Sequence, residues 1–406
     1  MAVKKSLAVP FHILPIIVLS QFAGTSVWFA GNAILPALQS LYHFPDDMLS
    51  NITIAVQLGF IMGTLSFALL TIADRFSPVK VFMLSALLAA MFNYLLLFAE
   101  GYISLILSLR FLTGFFLAGV YPVGMKIAAD WYASNLGKAL GFLVGALVAG
   151  KAVPHLLKGL GDISMWKQVI IYTSCIAATG GIMVGLLLKN GPHRTKTKGL
   201  SFSNLPALFH RRDFKAAALG YFGHMWELYT FWAFVPVMLS WYNLHQTVNL
   251  NVSLWSFLII GVGTISCIIG GYFSRRLGSA KVAFVSLSGS GICCILSPLF
   301  FLLPQPFFLT AMIFWGCLVI ADSPQFSALV SQTADNSQKG TALTLVTCIG
   351  FAITIISIEI MSYIFMTDQP IIPWLNTNKT VCFIMMSLGP LFGLISMRSL
   401  LKKKTT

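Results

Sequence analysis

The sequence predicts an all-α membrane protein with twelve transmembrane helices in two pseudo-symmetric six-helix bundles. Three observations predict it. The first is composition: of 406 residues, 57% are hydrophobic and only 9% charged, and the mean hydropathy is +0.84. A globular domain carries about 25% charged residues, and a chain this poor in charge cannot cover its own surface with polar groups. The second is spacing. Twelve apolar runs each reach the roughly 20 residues that a spanning helix needs. The third is an internal repeat. Gly63-Thr64-Leu65-Ser66 recurs as Gly263-Thr264-Ile265-Ser266, Arg75 matches Arg275, Pro36 matches Pro236 and Asn51 matches Asn251, all offset by 200. Near the same offset, "NLGKAL" from Asn135 echoes "QKGTAL" from Gln338. Several matches at a constant offset point to duplication of a six-helix unit. An even number of crossings per unit makes the repeats parallel.

Span one, 12–38, follows a short basic N-terminus and is longer than the apolar region of a cleaved signal peptide, so it reads as a retained helix. Spans two to six follow at 50–72, 79–99, 102–126, 137–158 and 167–189. The segment 190–213 is polar, basic and punctuated by proline and glycine, so it reads as a linker. Its "LPALFHRRD" end is suited to a short interfacial helix. Spans seven to twelve cover 214–240, 250–273, 279–303, 305–328, 340–365 and 376–398. The expected units are therefore 1–189, the linker 190–213, and 214–406. Helix is the default for each span, because lipid leaves backbone polar groups no outside partner. The seven cysteines all fall in apolar runs without metal-ligand spacing, and read as small core residues.

Charge sets the expected orientation. With the N-terminus inside, 21 of the 26 lysines and arginines fall on the cytoplasmic side and only Lys158, Lys167 and Lys379 outside. Both termini are thus expected in the cytoplasm, with the chain in the cell (inner or plasma) membrane. The net charge of +14 reads as topology and contact with anionic lipid. The basic residues are scattered over many loops, which argues against nucleic acid.

Local motifs carry a family resemblance. "ADRFSPVK", Ala73 to Lys80, and "GYFSRRLGSAK", Gly271 to Lys281, look like two copies of the loop 2–3 signature of the major facilitator superfamily of transporters. The first copy has Leu70 and Ser77-Pro78 at positions where the signature has glycine and Gly-Arg. The second has Ser274 in place of the aspartate. "LRFLTGFFLAG", Leu109 to Gly119, resembles the fourth-helix motif, with Arg110 four residues before Gly114. Span five, with glycines at 137, 141, 145 and 150, matches the fifth-helix antiporter motif only in part, since the Gly-Pro dipeptide is missing. The resemblance covers essentially the whole chain. It implies a central cavity lined by spans one, four, seven and ten, and conformational roles for Asp74, Arg75, Arg275 and Arg276. Plain topogenic charge is the other reading of those four.

The buried ionisable residues are the candidates for function. A charge at mid-helix costs roughly 2.5–3.5 kcal/mol on insertion scales. "GHMWELYTFW", Gly223 to Trp232, nevertheless puts His224 and Glu227 near the middle of span seven, on one helical face. An acid beside an imidazole suits a proton site. A structural interhelical hydrogen bond is the alternative. Arg110 in span four and Lys151 in span five suggest a positive cavity wall facing them, unless Lys151 snorkels to the outer interface. His155 reads as interfacial. Glu359 in span eleven is expected to partner Arg110 or Lys151, or to serve an outer gate. Asp322 in span ten is expected at the cytoplasmic gate, beside a kink at Pro324. Trp28, Asn32 and Gln21 in span one, with Trp226, Tyr229 and Trp232 in span seven, supply aromatic and amide contacts.

No enzyme chemistry shows: there is no phosphate-binding glycine loop followed by Lys-Ser/Thr, no metal-ligand cluster and no Ser-His-Asp arrangement. The expected function is secondary active transport of a small organic solute, an anion or carboxylate-bearing metabolite, by alternating access. A monomer is expected to run it as proton symport, without a cofactor. Arg110, Lys151, Trp28, Asn32, Tyr229 and Trp232 would bind substrate, and Glu227 with His224 would carry the proton. Two alternatives stay open. One is proton-driven efflux of amphipathic or cationic compounds. The other is a transporter-like receptor that senses a ligand without moving it.

Overall fold

The structure is a computed structural model that describes residues 9–45, 47–132, 136–161, 165–194, 205–335, 338–366 and 379–401. Among these, every regular element is helical. Six long helices precede residue 190: α1 (Ile13–Tyr42), α2 (Met48–Leu69), α3 (Pro78–Phe98), α4 (Ile103–Trp131), α5 (Lys138–Gly159) and α6 (Trp166–Leu187). Next comes α7 (Arg212–Gln246), whose 35 residues make it about 52 Å long at 1.5 Å per residue. Five more complete the fold: α8 (Val252–Leu277), α9 (Ser279–Phe300), α10 (Gln305–Thr333), α11 (Lys339–Phe365) and α12 (Lys379–Leu401). Eleven of these are both long and apolar enough to cross a membrane. The exception, α7, is long enough, but its glutamate, histidine, tryptophans and tyrosines lower its hydropathy. It is nonetheless an interior helix, packed on α11 and α12. The outer surface is apolar, with Leu186, Val285 and Ile395 among the exposed side chains.

Packing joins α1, α5 and α6, with α2, α3 and α4 completing that group; α7 joins α11 and α12, and α9 lies on α10 and α12. The two broadest contacts between the earlier and later helices are α5 on α8, and α2 on α11. Each has a polar tie. The Asn251 amide donates to the Gly159 carbonyl at 2.9 Å, and the Thr354 hydroxyl donates to Gln57 Oε1. Of the linker, 195–204 lie outside the described residues, as do Asn135 of the repeat and the terminal lysines. The expected short helix is present at Leu205–His210.

Glycine explains the closest approach. A Cβ on Gly59 would stand 1.9 Å from the Phe111 carbonyl oxygen, and one on Gly114 would stand 2.0 Å from that of Val56. The backbones of α2 and α4 therefore touch, as small residues allow in lipid.

Helices α1, α4 and α10 break partway along their length. Helix α1 consists of Ile13–Thr25 and Ala30–Tyr42. The Thr25 hydroxyl donates to the Gln21 carbonyl at 2.8 Å and that of Ser26 to Ala23 at 2.7 Å, so side chains compete for the helix's own acceptors. In α4 and α10, a proline opens the second segment: Pro122 in Tyr121–Trp131 and Pro324 in Ser323–Thr333. Proline lacks the N–H that would continue the ladder.

Candidate functional site

The α1 break leaves carbonyls without helical partners. Arg110 fills that role. Its Nη1 donates to the Val27 carbonyl at 3.1 Å and to Asn93 Oδ1 at 3.0 Å, while Nη2 donates to the Trp28 carbonyl. The guanidinium is wholly buried. A positive group at a helix C-terminus also complements the macrodipole. Asn93 extends the network, its amide donating to Ser174 Oγ at 2.9 Å and Thr173 Oγ1 at 3.2 Å. Arg110 thus belongs to the interior of the first six helices, and it fixes where Trp28 sits.

Lys151 lies where the earlier and later helices meet. Its Nζ donates to the Tyr229 hydroxyl and stands 3.8 Å from the Trp28 ring centroid, 4.2 Å from that of Tyr229 and 5.1 Å from that of Trp232. Phe60 and Phe351 close the box, 4.6 Å apart. None of these six side chains is more than 3% exposed. No ion pair among the described residues includes Lys151 or Arg110. A desolvated cation–π contact is worth about 2 kcal/mol, and a hydrogen bond to a charged group about 1.5–3 kcal/mol. Together they offset the roughly 2.5–3.5 kcal/mol cost of a mid-membrane charge. The ammonium's partners among the described residues are the Tyr229 hydroxyl and the aromatic rings, none of them an acid. It does not snorkel.

The acids collect elsewhere. Glu227 turns toward α9 and α10, where its carboxylate accepts from Ser290 Oγ at 2.8 Å, Trp315 Nε1 at 2.8 Å and Cys294 Sγ at 3.2 Å. One turn away, His224 Nδ1 lies 2.9 Å from Asp322 Oδ1, both residues being buried. Asp322 is the joint of α10. His224 Nε2 has no partner among the described residues.

The expected shared cavity, with a positive wall facing Glu227 and His224, therefore divides. Lys151, Trp28, Tyr229 and Trp232 come together. Arg110 does not join them, and Asn32 donates to Thr53 Oγ1 at 2.6 Å inside the first group. Glu227 and His224 face α9 and α10 rather than Lys151. Asp322, expected at a gate, pairs with His224. Glu359 is exposed on α11 and meets neither Arg110 nor Lys151. His155 is buried rather than interfacial. Asp74 pairs with Lys126 at 2.7 Å, and Arg194 Nη2 donates to the Phe76 carbonyl at 2.7 Å, so the loop after α2 is held by α4 and the start of the linker. Arg75, Arg275 and Arg276 are exposed. Sequence reasoning missed Phe60, Phe351, Asn93, Trp315, Ser290 and Cys294. Asn93, an amide within an apolar run, carried a signal. Trp315 carried one too, seven residues and two turns from Asp322.

Comparison with known proteins follows the same lines. A family model described as the Major Facilitator Superfamily matches residues 17–358. A Haemophilus influenzae protein, provisionally named for metabolite transport, is 34% identical over 120 residues, 28% of either chain. That alignment spans little more than a quarter of the relative. Among solved structures, the xylose transporter XylE from E. coli superposes with a TM-score of 0.74 at 13% identity, covering 98% of this chain and 100% of that one. The human organic anion transporter MFSD10 gives 0.68 at 12% identity, covering 95% and 99%. The E. coli fucose:proton symporter FucP gives 0.67 at 14% identity, covering 97% and 99%. Identities this low carry the fold alone.

Proposed function

The chain belongs to the major facilitator superfamily, and from that premise we propose that this transporter moves a small organic anion in symport with protons. As a member of that family it is a transporter and not an enzyme. The observation that carries the anion reading is Lys151, a buried ammonium with no acid beside it, enclosed by aromatic rings from both sides of the fold. A cationic substrate would meet that charge head on, which disfavours efflux of cations. The residues before and after the linker 190–213 act as two rocking units, and the Lys151–Tyr229 hydrogen bond links them across the centre. The lysine-rich face is cytoplasmic, and the working unit is a monomer in the cell membrane. Asp74, Arg75, Arg275 and Arg276 bias the conformations from that face.

Glu227 is the proton site, with His224 and Asp322 as its neighbours. Its ionised carboxylate accepts three bonds. Once protonated it must donate one. The Ser290 hydroxyl can rotate to accept, whereas the Trp315 indole only donates. Protonation thus rearranges the contact between α7, α9 and α10, and the proton's arrival is felt at the joint of α10.

The test is uptake of labelled organic anions by proteoliposomes under an imposed pH gradient. Wild-type uptake rises with an inward proton gradient. Lys151→Gln abolishes uptake. Glu227→Gln keeps exchange of internal for external substrate but loses gradient-driven accumulation. Wild-type uptake in Lys151→Gln sinks the anion site, and an intact pH response in Glu227→Gln sinks the proton site.

A further inference from the structure

The box around Lys151 is built from two kinds of group. One kind is hydrogen-bond donors. Lys151 Nζ has protons beyond the one it gives Tyr229. The indole N–H groups of Trp28 and Trp232 are buried without an acceptor among the described residues. So is the amide nitrogen of Gln57, one turn from Phe60 on α2. The other kind is flat hydrocarbon. Phe60 lies 4.9 Å from Trp28, Phe351 lies 4.9 Å from Tyr229, and the two phenylalanines are 4.6 Å apart. Among the six box side chains, the Tyr229 hydroxyl is the sole hydrogen-bond acceptor.

That surplus of donors selects a ligand. A sugar or nucleoside brings hydroxyl protons that need acceptors, and the box has almost none. A buried donor stays uncompensated unless the ligand supplies acceptors. Tilted aromatic rings favour a flat partner, which can adopt the offset or edge-to-face contacts such rings prefer. We infer that the substrate is a flat aromatic monocarboxylate, its carboxylate on Lys151 and the indole N–H groups and its ring against Phe60 and Phe351 once these two have parted. The inference rests on the organic-anion reading and narrows it. Trp28, Phe60 and Lys151 come from α1, α2 and α5, and Tyr229, Trp232 and Phe351 come from α7 and α11. The rings therefore part along the line where the two groups of helices meet. A carboxylate that takes the ammonium releases the Tyr229 bond across that line.

Benzoate is the probe, with cyclohexanecarboxylate, lactate, benzyl alcohol and benzylammonium for comparison. Binding to the purified full chain is read by indole fluorescence and by thermal shift. Benzoate binds. Cyclohexanecarboxylate and lactate bind about tenfold more weakly or worse, and the alcohol and the ammonium do not bind. Trp232→Phe keeps a ring but removes the N–H, and weakens benzoate by about threefold to tenfold. Lys151→Gln abolishes binding. If lactate or cyclohexanecarboxylate matches benzoate and still depends on Lys151, the aromatic inference is overturned and the anion reading stands. Unchanged benzoate affinity in Trp232→Phe also overturns the inference. If benzylammonium or benzyl alcohol matches benzoate, if no probe binds, or if Lys151→Gln binds benzoate normally, both readings fall.

Discussion

Arg110 shows how one side chain can serve a site it does not touch. Its planar fork reaches the Val27 and Trp28 carbonyls and the Asn93 amide oxygen together. Lysine offers the same charge as a point, with no rigid fork to span those acceptors. Arg110→Lys is expected to lower stability in detergent by about 2–3 kcal/mol, the worth of one to two lost bonds to a charged group. It should also shift the fluorescence of Trp28, whose carbonyl loses its tether. Asn93→Ala should cost less, because both carbonyl bonds survive. Unfolding curves with the fluorescence spectrum check both. The sequence made Arg110 a candidate because a permanent charge in an apolar run demands a partner. It could not say that the partner was backbone, since the α1 break arises from the hydroxyls of Thr25 and Ser26 and not from a proline.

At the scale of the helix, direction decides which residues meet. Tyr229 and Glu227 are two positions apart on α7, about 200° around the axis at 100° per residue. One cannot face the box if the other does. Expecting both to line one cavity overlooked that angle. Tyr229 and Trp232 share one face, and His224, Glu227 and Phe231 share the other, where Phe231 meets Trp315 at 4.6 Å. Glycines give the element its sharpest test. Gly114→Ala is expected to destabilise the fold by about 1–3 kcal/mol, since its methyl would overlap the Val56 carbonyl, 2.0 Å away. Gly141→Ala should be nearly neutral, because its nearest neighbour is 3.8 Å away. Thermal melts of the two variants side by side check the contrast. Both glycines stood out in the sequence. Only the packing of α2 on α4 separates them.

For the molecule as a whole, hydropathy and the 200-residue repeat carried most of the architecture, because lipid permits so few ways to satisfy a backbone. The site was less legible. Its lysine was visible, but Phe60 and Phe351 look like any other core aromatic until α2 and α11 are brought together. Orientation yields a direct prediction. Reporter fusions that act only on one side of the membrane should place residue 200 and the C-terminus in the cytoplasm, and Lys158 and Lys379 outside. The reverse pattern would overturn the orientation and with it the side on which Asp74 and Arg75 lie.

Helix α7 alone fails the hydropathy test that its eleven companions pass. During synthesis it therefore has the weakest claim to leave the translocation machinery for lipid by itself. Its polar groups find shelter only in company: Trp315 and Ser290 for the glutamate, Asp322 for the histidine, all of them on helices made afterwards. The ribosome must deliver α9 and α10 before α7 is at rest, so a nascent chain stalled with α7 emerged but α9 not yet delivered should be caught with α7 still loosely held.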